Sequence, residues 1–520
     1  MNPSNHIANE LLKVLSKKIG SSALVDYGLG SPLRLKRGTL LVLAIRLAGD
    51  LKSEIKEDRV GVVLPPGLAG VLANLALFFA DKIPVNLNFT LGSEAIKQSM
   101  EDAEIKTILT AQGVRKKFPE FPWLDHWMDL GEKLKAYRKE KFFLFRQLAW
   151  LRLFPRSFVR SHEVPSQGGE KEAALLFTSG SSGNPKGVAL SHRNLLSNCH
   201  QISQVGLFSE DAKILANLPL FHSFGFTIAT LYPLLDGLEI VAAPSPLDVT
   251  TSIRAIRDEK VEVLMGTPTF LRGYLRKGKV EDLASVRYVV AGAEKTPPAF
   301  REKWEKEVDC KYLEGYGLTE TSPVLSFNVP GEGSRENSVG RLLPGVESKV
   351  VDADTKEDLP DGESGILCFR GPNVFPGYLN QLERTTEVLS EDGWFLTGDL
   401  GRIDGEGFLF IEGRLSRFSK IGGEMVPHET VEEAVIKTLD LPDENDPVCV
   451  VVGMEDESKG ERLVLLTSID LAKDELRRNL AKAGLPNLWI PRDIRKVETI
   501  PILPTGKLDL LEVKKLVAES

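Results

Sequence analysis

Cysteine is scarce in this chain, and its four occurrences lie far apart, at Cys199, Cys310, Cys368 and Cys449. No two of them form a C-x-x-C pair, so their spacing predicts neither a zinc site nor a disulfide framework. Reduced cysteines are typical of cytoplasmic proteins, and we expect a cytoplasmic location.

An excess of positive charge is also missing. The 520 residues include 65 Lys and Arg against 73 Asp and Glu, and the net charge of −8 argues against a general nucleic-acid-binding protein. The chain has no internal repeat and no low-complexity tract. Its 42% hydrophobic and 27% charged residues are typical of soluble globular proteins, and its length predicts two or more domains.

Long apolar segments are nearly absent. Three lysines interrupt residues 1–20, so no secretory signal is expected there. The one uncharged run long enough to suggest a membrane span covers residues 60–80. Pro65, Pro66 and Gly67 divide this run, and we therefore predict a buried strand followed by a buried helix.

Apolar strands alternate with helical segments along much of the chain. This alternation, over residues 60–130 and again over residues 178–316, predicts an α/β fold with two parallel-sheet halves. Short β-rich pieces with turns after residue 331 predict a small β subdomain. The residues after 413 mix helices and strands. We expect a large N-terminal domain at residues 1–414 and a small α+β domain at residues 415–520.

The stretch TSGSSGNPKG at residues 178–187 lies between two apolar, strand-like runs. Its small residues can present backbone N–H groups and hydroxyls to an anion, and Lys186 supplies a positive charge. We interpret it as a phosphate-binding loop. It is not a Walker A loop, because Pro185 precedes the lysine where that motif requires glycine. The alternative, a flexible linker, is seldom found between two strands.

Five further motifs follow this loop. They are LPLFHSFGFT at 218–227, EGYGLTET at 314–321, GWFLTGDLGRID at 393–404, GRLSRFSKIGGEMV at 413–426 and PTGKLD at 504–509. In content and order the set resembles the adenylate-forming, AMP-binding superfamily, which includes acyl-CoA synthetases, firefly luciferase and the adenylation domains of peptide synthetases. The resemblance implies an acid–thiol ligase that uses ATP and Mg²⁺.

The resemblance also implies roles for individual residues. It assigns the phosphates of ATP to Thr178, Ser179, Gly180, Ser181, Ser182, Gly183 and Lys186. It assigns the adenine and its surroundings to Gly292, Ala293, Glu314, Gly315, Tyr316, Gly317 and Thr319, with Tyr316 packing on the base. Asp399 would accept both ribose hydroxyls, Arg414 would make a second ribose contact, and Glu320 would be the Mg²⁺ ligand, a usual role for a carboxylate beside phosphates.

Lys507, in PTGKLD, resembles the catalytic lysine of the superfamily. Its ammonium group would stabilise negative charge on the α-phosphate during adenylation. The same resemblance implies that the last domain is mobile and rotates about a hinge at Ser416, where many relatives have Asp or Lys. Lys420, Gly422 and Gly423 would then enter the site for thioester formation.

The acyl site is expected around His222, which resembles an aromatic residue between acyl pocket and thiol channel. Phe226, Gly266 and Thr267 are further candidates for its lining. No basic or polar residue marks the site for an amino acid, so a fatty acid is favoured.

A narrower resemblance concerns the thiol acceptor. The strings FHSFGFT, VVAGAEK, LEGYGLTE, RFSKIGGEMV and IPRDIRKVETIP resemble the synthetase half of bacterial bifunctional acyl-[acyl carrier protein] synthetase / 2-acylglycerophosphoethanolamine acyltransferases. No histidine here is followed by Asp five positions later, so the acyltransferase motif H-x-x-x-x-D is absent.

These observations predict a long-chain fatty acid:acyl carrier protein ligase. A fatty acid:coenzyme A ligase is the alternative, and a non-catalytic acyl-binding protein of the same fold is a third hypothesis. A basic surface could receive the acidic carrier protein or the 3′-phosphate of coenzyme A, or could simply be solvated. It comprises Arg477, Arg478, Lys482, Arg492, Arg495, Lys496 and Lys507, against Asp493 and Glu498.

Residues 131–160 interleave nine Lys and Arg with aromatic and aliphatic side chains and contain two Glu. One interpretation is peripheral contact with an anionic membrane surface, at the cytoplasmic face of the inner membrane. The other is a pair of surface helices that pack on the body and expose solvated charges.

Overall fold

The computed structural model describes residues 1–162, 164–179, 185–331, 334–421, 424–439, 447–456, 460–502 and 508–519. Within these ranges the strands, numbered β1 to β25 in chain order, are Ser22–Asp26, Leu33–Lys36, Arg59–Val62, Ile83–Asn86, Ile108–Thr110, Trp127–Asp129, Glu172–Ser179, Pro185–Ser191, Lys213–Ala216, Glu239–Ala242, Val263–Gly266, Tyr288–Ala291, Lys311–Gly317, Val324–Phe327, Arg341–Leu342, Glu347–Val351, Gly365–Arg370, Gly377–Tyr378, Phe395–Ile403, Leu409–Arg414, Phe418–Ile421, Glu424–Pro427, Cys449–Asp456, Gly460–Thr467 and Asp493–Lys496.

The α-helices, numbered α1 to α17 in the same way, are Ile7–Leu15, Arg37–Glu54, Leu68–Phe79, Ser93–Asp102, Gln112–Lys117, Leu130–Lys139, Lys141–Leu153, Pro155–Ser161, His192–Val205, Tyr232–Asp236, Val249–Glu259, Pro268–Lys277, Pro298–Val308, Leu382–Val388, His428–Thr438, Lys473–Lys482 and Leu510–Glu519. A π-helix occupies Phe224–Leu231, and 3₁₀ turns occupy Val280–Leu283, Thr319–Thr321 and Leu415–Arg417.

Two large sheets form most of the N-terminal part. One has nine strands in the order β15-β14-β13-β12-β11-β9-β10-β1-β2, and the other has seven in the order β18-β8-β7-β4-β3-β5-β6. Their central strands are parallel, as in βαβ units. The predicted α/β architecture is confirmed.

The division between the two sheets differs from the expected one. The hairpin β7–β8, which flanks the phosphate-loop motif, belongs to the seven-stranded sheet with the earlier strands, rather than to a second half beginning at residue 178. Conversely, β1, near the N-terminus, pairs with β10 of the nine-stranded sheet, with Val25 opposite Val241. The expectation that the second half begins at residue 178 was therefore wrong. Hydrogen bonding between residues so far apart in sequence leaves no signal in a local stretch of sequence.

The uncharged run at residues 60–80 forms β3 and α3, as predicted. Every residue of α3 except Ala69 is buried, which is why this helix is apolar on all sides. It packs with α2 and the strands in the largest core cluster. No helix in the described part of the chain is both long and apolar enough to cross a bilayer.

A four-stranded antiparallel sheet, β16-β17-β19-β20, corresponds to the expected small β subdomain. The strands β21 to β25 form a separate five-stranded sheet, with α15, α16 and α17 beside it. The two apolar clusters on this last sheet contain no buried residue that precedes Ile421. The last unit therefore has a core of its own.

Candidate active site

The candidate site lies where neighbouring parallel strands of the nine-stranded sheet end. Gly266 at the end of β11 is in register with Ala291 of β12, which in turn is in register with Glu314 of β13. The next residue after β12, Gly292, donates its N–H to the carbonyl of Gly266 (3.2 Å). A ligand cleft is expected at the carboxyl ends of such strands.

The predicted adenine residues meet at this edge. A Cβ on Gly292 would lie 3.4 Å from the carbonyl oxygen of Gly315, and Ala293 has a left-handed φ of +70°. A Cβ on Gly317 would lie 1.9 Å from the carbonyl oxygen of Pro323. Glycine is thus required at 317 for β13 to pass β14 closely.

Tyr316, Asp399 and Arg414 form one connected group. The Tyr316 hydroxyl donates to Oδ2 of Asp399 (2.5 Å), and Nε of Arg414 lies 3.1 Å from Oδ1 of the same carboxylate. Asp399 is 3% exposed. Burial, and then the Asp399 charge, raise the pKa of Tyr316 well above its ordinary value, so the hydroxyl stays a donor. The structure therefore brings together three residues that are distant in sequence and that the resemblance assigns to the nucleoside.

A second group forms on the seven-stranded sheet. Thr178 of β7 is opposite Lys186 of β8, and β18 places Tyr378 beside β8, opposite Val188. The ammonium nitrogen of Lys186 lies 5.3 Å from the centre of the Tyr378 ring. Burial, followed by the charge of Arg384, lowers the pKa of Lys186, while Glu320 raises it.

Tyr378 also holds the proposed Mg²⁺ ligand. Its hydroxyl donates to Oε1 of Glu320 (2.8 Å), and the Glu320 carbonyl accepts from the N–H of Phe375 (2.8 Å). No second hydrogen bond to this carboxylate is found within the described residues. A carboxylate with free acceptor capacity beside a phosphate-loop lysine suits a hard cation, so Glu320 fits the Mg²⁺ role.

Tyr378 was not among the candidates from the sequence. The available signal was a tyrosine directly after Gly377, in GPNVFPGYLN. Gly377 has φ +148°, and a Cβ there would meet the Thr385 methyl at 2.7 Å, so the chain needs glycine to bring the tyrosine into place.

Buried asparagines fix the turn that carries Glu320. Asn198 accepts from the N–H of Val324 (3.1 Å) and donates to its carbonyl (2.7 Å). Asn373 donates to the carbonyl of Thr321 (2.9 Å). These bonds hold both sides of the Ser322–Pro323 peptide and therefore the position of the 3₁₀ turn.

Glu314 occupies a different environment from the other nucleotide candidates. It lies 3.6 Å from Arg301. Burial raises its pKa to about 7, and Arg301 opposes that shift.

On the acyl side, His222 lies two residues before the π-helix, and Nδ1 of its ring accepts from the N–H of Phe224 (3.4 Å). Ser223 links this turn to the nucleotide region through the hydroxyl of Thr319 (3.3 Å). A Cβ on Gly292 would lie 3.8 Å from the Phe224 ring. A π-helix is frequently found at functional sites.

Two of the acyl-site candidates have structural contacts. Phe226 is 2% exposed and packs against Phe78 in the core. Thr267 caps α12, where its hydroxyl accepts from the N–H of Phe270 (3.3 Å). Phe224, which the sequence also suggests for the acyl lining, lies nearer the nucleotide edge than Phe226.

Several predicted residues lie outside the described part of the chain. They are Gly180, Ser181, Ser182 and Gly183 of the phosphate loop, Gly422 and Gly423, and the catalytic candidate Lys507. The side chains of Ser179 and Ser416 are likewise not described.

The proposed hinge lies between two arginines with different partners. Arg414 contacts Asp399 of β19, as described above. Arg417 is 4% exposed and donates to both oxygens of Glu432 in α15 (2.6 Å each) and to the carbonyl of Val451 (2.9 Å). A buried arginine with these three hydrogen bonds fixes its segment of chain to the last unit.

The sequence profile of the AMP-binding enzyme family matches residues 25–379. The chain is 28% identical over 497 residues to a long-chain-fatty-acid--CoA ligase of Bacillus subtilis, which covers 90% of this chain and 88% of that protein. It is 30% identical over 494 residues to the mitochondrial medium-chain acyl-CoA ligase ACSF2 of Mus musculus, with 88% and 79% covered.

Among solved structures, ATP-bound MatB from Rhodopseudomonas palustris matches with a TM-score of 0.79 at 23% identity, over 98% of each chain. This likeness shows a shared fold, with a large N-terminal part and a smaller C-terminal part.

Proposed function

The chain belongs to the AMP-binding enzyme family, and from that premise we propose that it activates a long-chain fatty acid as an acyl-adenylate and transfers the acyl group to coenzyme A. Its class, an acid–thiol ligase that uses ATP and Mg²⁺, follows from the family. The observation that carries the proposal is that two sets of side chains each form a connected group. The first consists of Tyr316, Asp399 and Arg414. The second consists of Lys186, Tyr378 and Glu320.

We propose one nucleotide across these groups. Tyr316, with the loop at Gly292 and Ala293, holds the base. Asp399 and Arg414 hold the ribose, and Thr178 and Lys186 hold the phosphates. Mg²⁺, when bound at Glu320, would neutralise phosphate charge as pyrophosphate leaves.

Lys507 completes the proposal as the catalytic residue. Its ammonium group would stabilise the negative charge that develops at the α-phosphate. The attacking fatty-acid carboxylate is already ionised at pH 7, so no general base is required.

We propose that the domains divide at 414 and 415 and that Ser416 is the hinge. The separate cores of the two parts and the different partners of Arg414 and Arg417 support this division. Lys420, which contacts Asp354 (2.7 Å), would leave that partner when the last domain rotates.

Coenzyme A is preferred as the acceptor because the relatives named above are CoA ligases. The acyl carrier protein remains the second candidate, and exposed cations on α16 favour it: Arg477, Arg478 and Lys482. That basic surface is partly neutralised, because Arg477 contacts Asp474 (3.9 Å), Arg495 contacts Asp493 (2.7 Å) and Lys496 contacts Asp470 (2.6 Å).

We also propose a cytoplasmic location with peripheral contact between residues 131–160 and an anionic membrane surface.

The deciding experiment is thioester formation from ATP and palmitate, with coenzyme A and holo acyl carrier protein offered separately. Transfer to coenzyme A is the expected result. Transfer to the carrier protein alone would reject coenzyme A as the acceptor but leave the adenylation chemistry intact. If neither thiol is acylated and no acyl-adenylate forms, the result would favour a non-catalytic acyl-binding protein.

The Lys507→Ala variant tests the catalytic assignment. Fatty-acid-dependent pyrophosphate exchange should fall at least a hundredfold, a size typical of one lost electrostatic contact to a transition state. The matched variant Lys515→Ala, at an exposed lysine that pairs with Glu512, should keep the full rate. Full exchange in Lys507→Ala would refute the assignment.

A further inference from the structure

Helix α7 carries apolar side chains on two opposite faces. Leu144, Leu148 and Leu151 face the protein, and Leu151 belongs to the main core. Phe142 and Phe145 instead point to solvent, with 78% and 71% of their surface exposed.

The exposed face continues along the helix. Ala149 and Leu153 follow Phe142 by seven and eleven residues, which places them on the same side at 3.6 residues per turn. Leu153 is 67% exposed, and Phe154, at the corner before α8, is 62% exposed. Four large apolar side chains thus form one exposed patch, a feature that soluble surfaces rarely carry without a partner.

The same two helices are strongly basic. The sequence from 141 to 162 contains no Asp or Glu. Exposed cations border the apolar patch, namely Lys141, Arg146, Arg152, Arg156 and Arg160. Within the described residues none of them has an ion-pair partner, and the last two line an open concavity with Leu153 and Phe154.

Helix α6 is also basic, but within the described structure it carries no exposed large apolar side chain. Its Tyr137 donates to Asp50 (2.7 Å), and its Lys133 contacts Asp50 (3.1 Å) and Glu54 (2.5 Å), both on α2. Arg46 of α2 also contacts Glu140, at the start of α7. The body therefore pairs one cation of α6 and anchors the base of the α7–α8 pair. The other cations of α6, namely Lys135, Arg138 and Lys139, are exposed but have no exposed large apolar side chain on their own helix.

We infer that α7 and α8, rather than the whole of 131–160, dock on an anionic lipid bilayer. Phe142, Phe145, Leu153 and Phe154 enter the headgroup layer, and the five cations bind lipid phosphates. The inference rests on the proposed function for its purpose, because a long-chain fatty acid partitions into the bilayer and a docked enzyme meets it there.

Charge decides against a second copy of this chain as the occupant. A symmetric pairing through the patch would bring the cations of one copy against those of the other. A lipid surface supplies negative charge across the whole face, and it accepts apolar side chains without requiring a matching groove.

The test is co-sedimentation of the full-length chain with vesicles of phosphatidylcholine alone or mixed with phosphatidylglycerol. The wild type should bind the anionic vesicles much more tightly, and binding should weaken with salt. Arg152→Gln/Arg156→Gln/Arg160→Gln should weaken it about a hundredfold, at about fivefold for each charge. Phe142→Ser/Phe145→Ser should weaken it at least tenfold.

Matched controls change exposed residues elsewhere. Lys116→Gln/Lys277→Gln/Lys303→Gln removes three cations, and Leu29→Ser/Leu382→Ser removes two exposed apolar side chains. Both controls should bind as the wild type does. All variants should keep the wild-type melting temperature and ligase activity on dispersed fatty acid, since every changed side chain is exposed.

Three results would overturn the inference. The first is wild-type binding to anionic vesicles that neither test variant weakens, and the second is no wild-type binding at all. The third is a dimer in sedimentation equilibrium that the test variants dissociate, which would assign the patch to a second copy. Ligase activity on dispersed fatty acid is measured separately from vesicle binding. A failure of the docking proposal would therefore leave the proposed reaction intact, and a failure of the proposed reaction would leave the docking proposal intact.

Discussion

The hydroxyl of Tyr378 offers a sharp test of how the Mg²⁺ site is held. In Tyr378→Phe the ring over which Lys186 lies is retained, and only the 2.8 Å bond to Glu320 is lost. Burial, followed by the charge of Glu320, raises the pKa of Tyr378, so the hydroxyl is a neutral donor at every working pH.

A hydrogen bond to a charged group contributes about 1.5–3 kcal/mol. Glu320 is partly exposed, so water replaces part of this, and we expect the lower end. About 1.4 kcal/mol corresponds to tenfold in an equilibrium constant. Loss of a partner that orients a metal ligand typically costs about 10–100-fold in metal affinity, so the Mg²⁺ concentration for half-maximal pyrophosphate exchange should rise about tenfold in Tyr378→Phe.

The assay is fatty-acid-dependent pyrophosphate exchange as a function of Mg²⁺ at saturating ATP and acid. Tyr137→Phe is the matched control, because it removes a tyrosine–carboxylate bond of similar length (2.7 Å, to Asp50) away from the site. An unchanged Mg²⁺ dependence in Tyr378→Phe, with an unchanged melting temperature, would refute the reasoning. An equal shift in Tyr137→Phe would attribute the effect to general destabilisation.

Two further predictions concern the fold around the site. In Gly317→Ala the new methyl lies 1.9 Å from the Pro323 carbonyl oxygen, so β13 and β14 must separate, and we expect about 2 kcal/mol less stability by denaturant unfolding and almost complete loss of activity. Gly49→Ala in α2 is the control: no atom lies within 4 Å of its added methyl, and it should be slightly stabilising. An equal loss of stability in both variants would contradict the clash at Gly317. Burial lowers the pKa of His6 to about 4 and that of His192 to about 3. The unfolded chain therefore binds more protons below pH 6.5, and stability should fall as the pH decreases from 6.5 toward 4. The fall should be shallower in His192→Gln, whose amide can still accept from the N–H of Ile7 (3.2 Å in the wild type), and a melting temperature that falls as steeply as in the wild type would show that the His192 ring is not responsible.

The local sequence pattern was sufficient to predict individual strands and helices, but not which strands pair with one another. The alternation after residue 60 predicted β3, α3 and β4, because each element carries its own periodicity and its own breakers. Which sheet β1 or the β7–β8 hairpin joins depends on pairing across large sequence separations, which no window of sequence contains.

The site shows the same contrast. Asp399 and Tyr316 were proposed because each lies in a motif, and the structure places them in contact. Tyr378 was missed because its role depends on Glu320, fifty-eight positions earlier, and on a glycine with unusual φ directly before it. The two apolar faces of α7 could not be predicted either, because alternating charged and aromatic residues do not specify which face packs against the rest of the protein.

In the rotation proposed above, the short chain between Arg414 and Arg417 would be the pivot. Each of these arginines is bound to a different body, to Asp399 in one and to Glu432 in the other, so the backbone of Leu415 and Ser416 must absorb the whole of any rotation. Two residues span at most about 7 Å, which permits a wide swing but almost no sliding. A last domain that rotates about such a pivot would present its different faces to the nucleotide site one at a time. Lys507, proposed for adenylation, and Lys420, proposed for thioester formation, would therefore occupy the site in succession and never together.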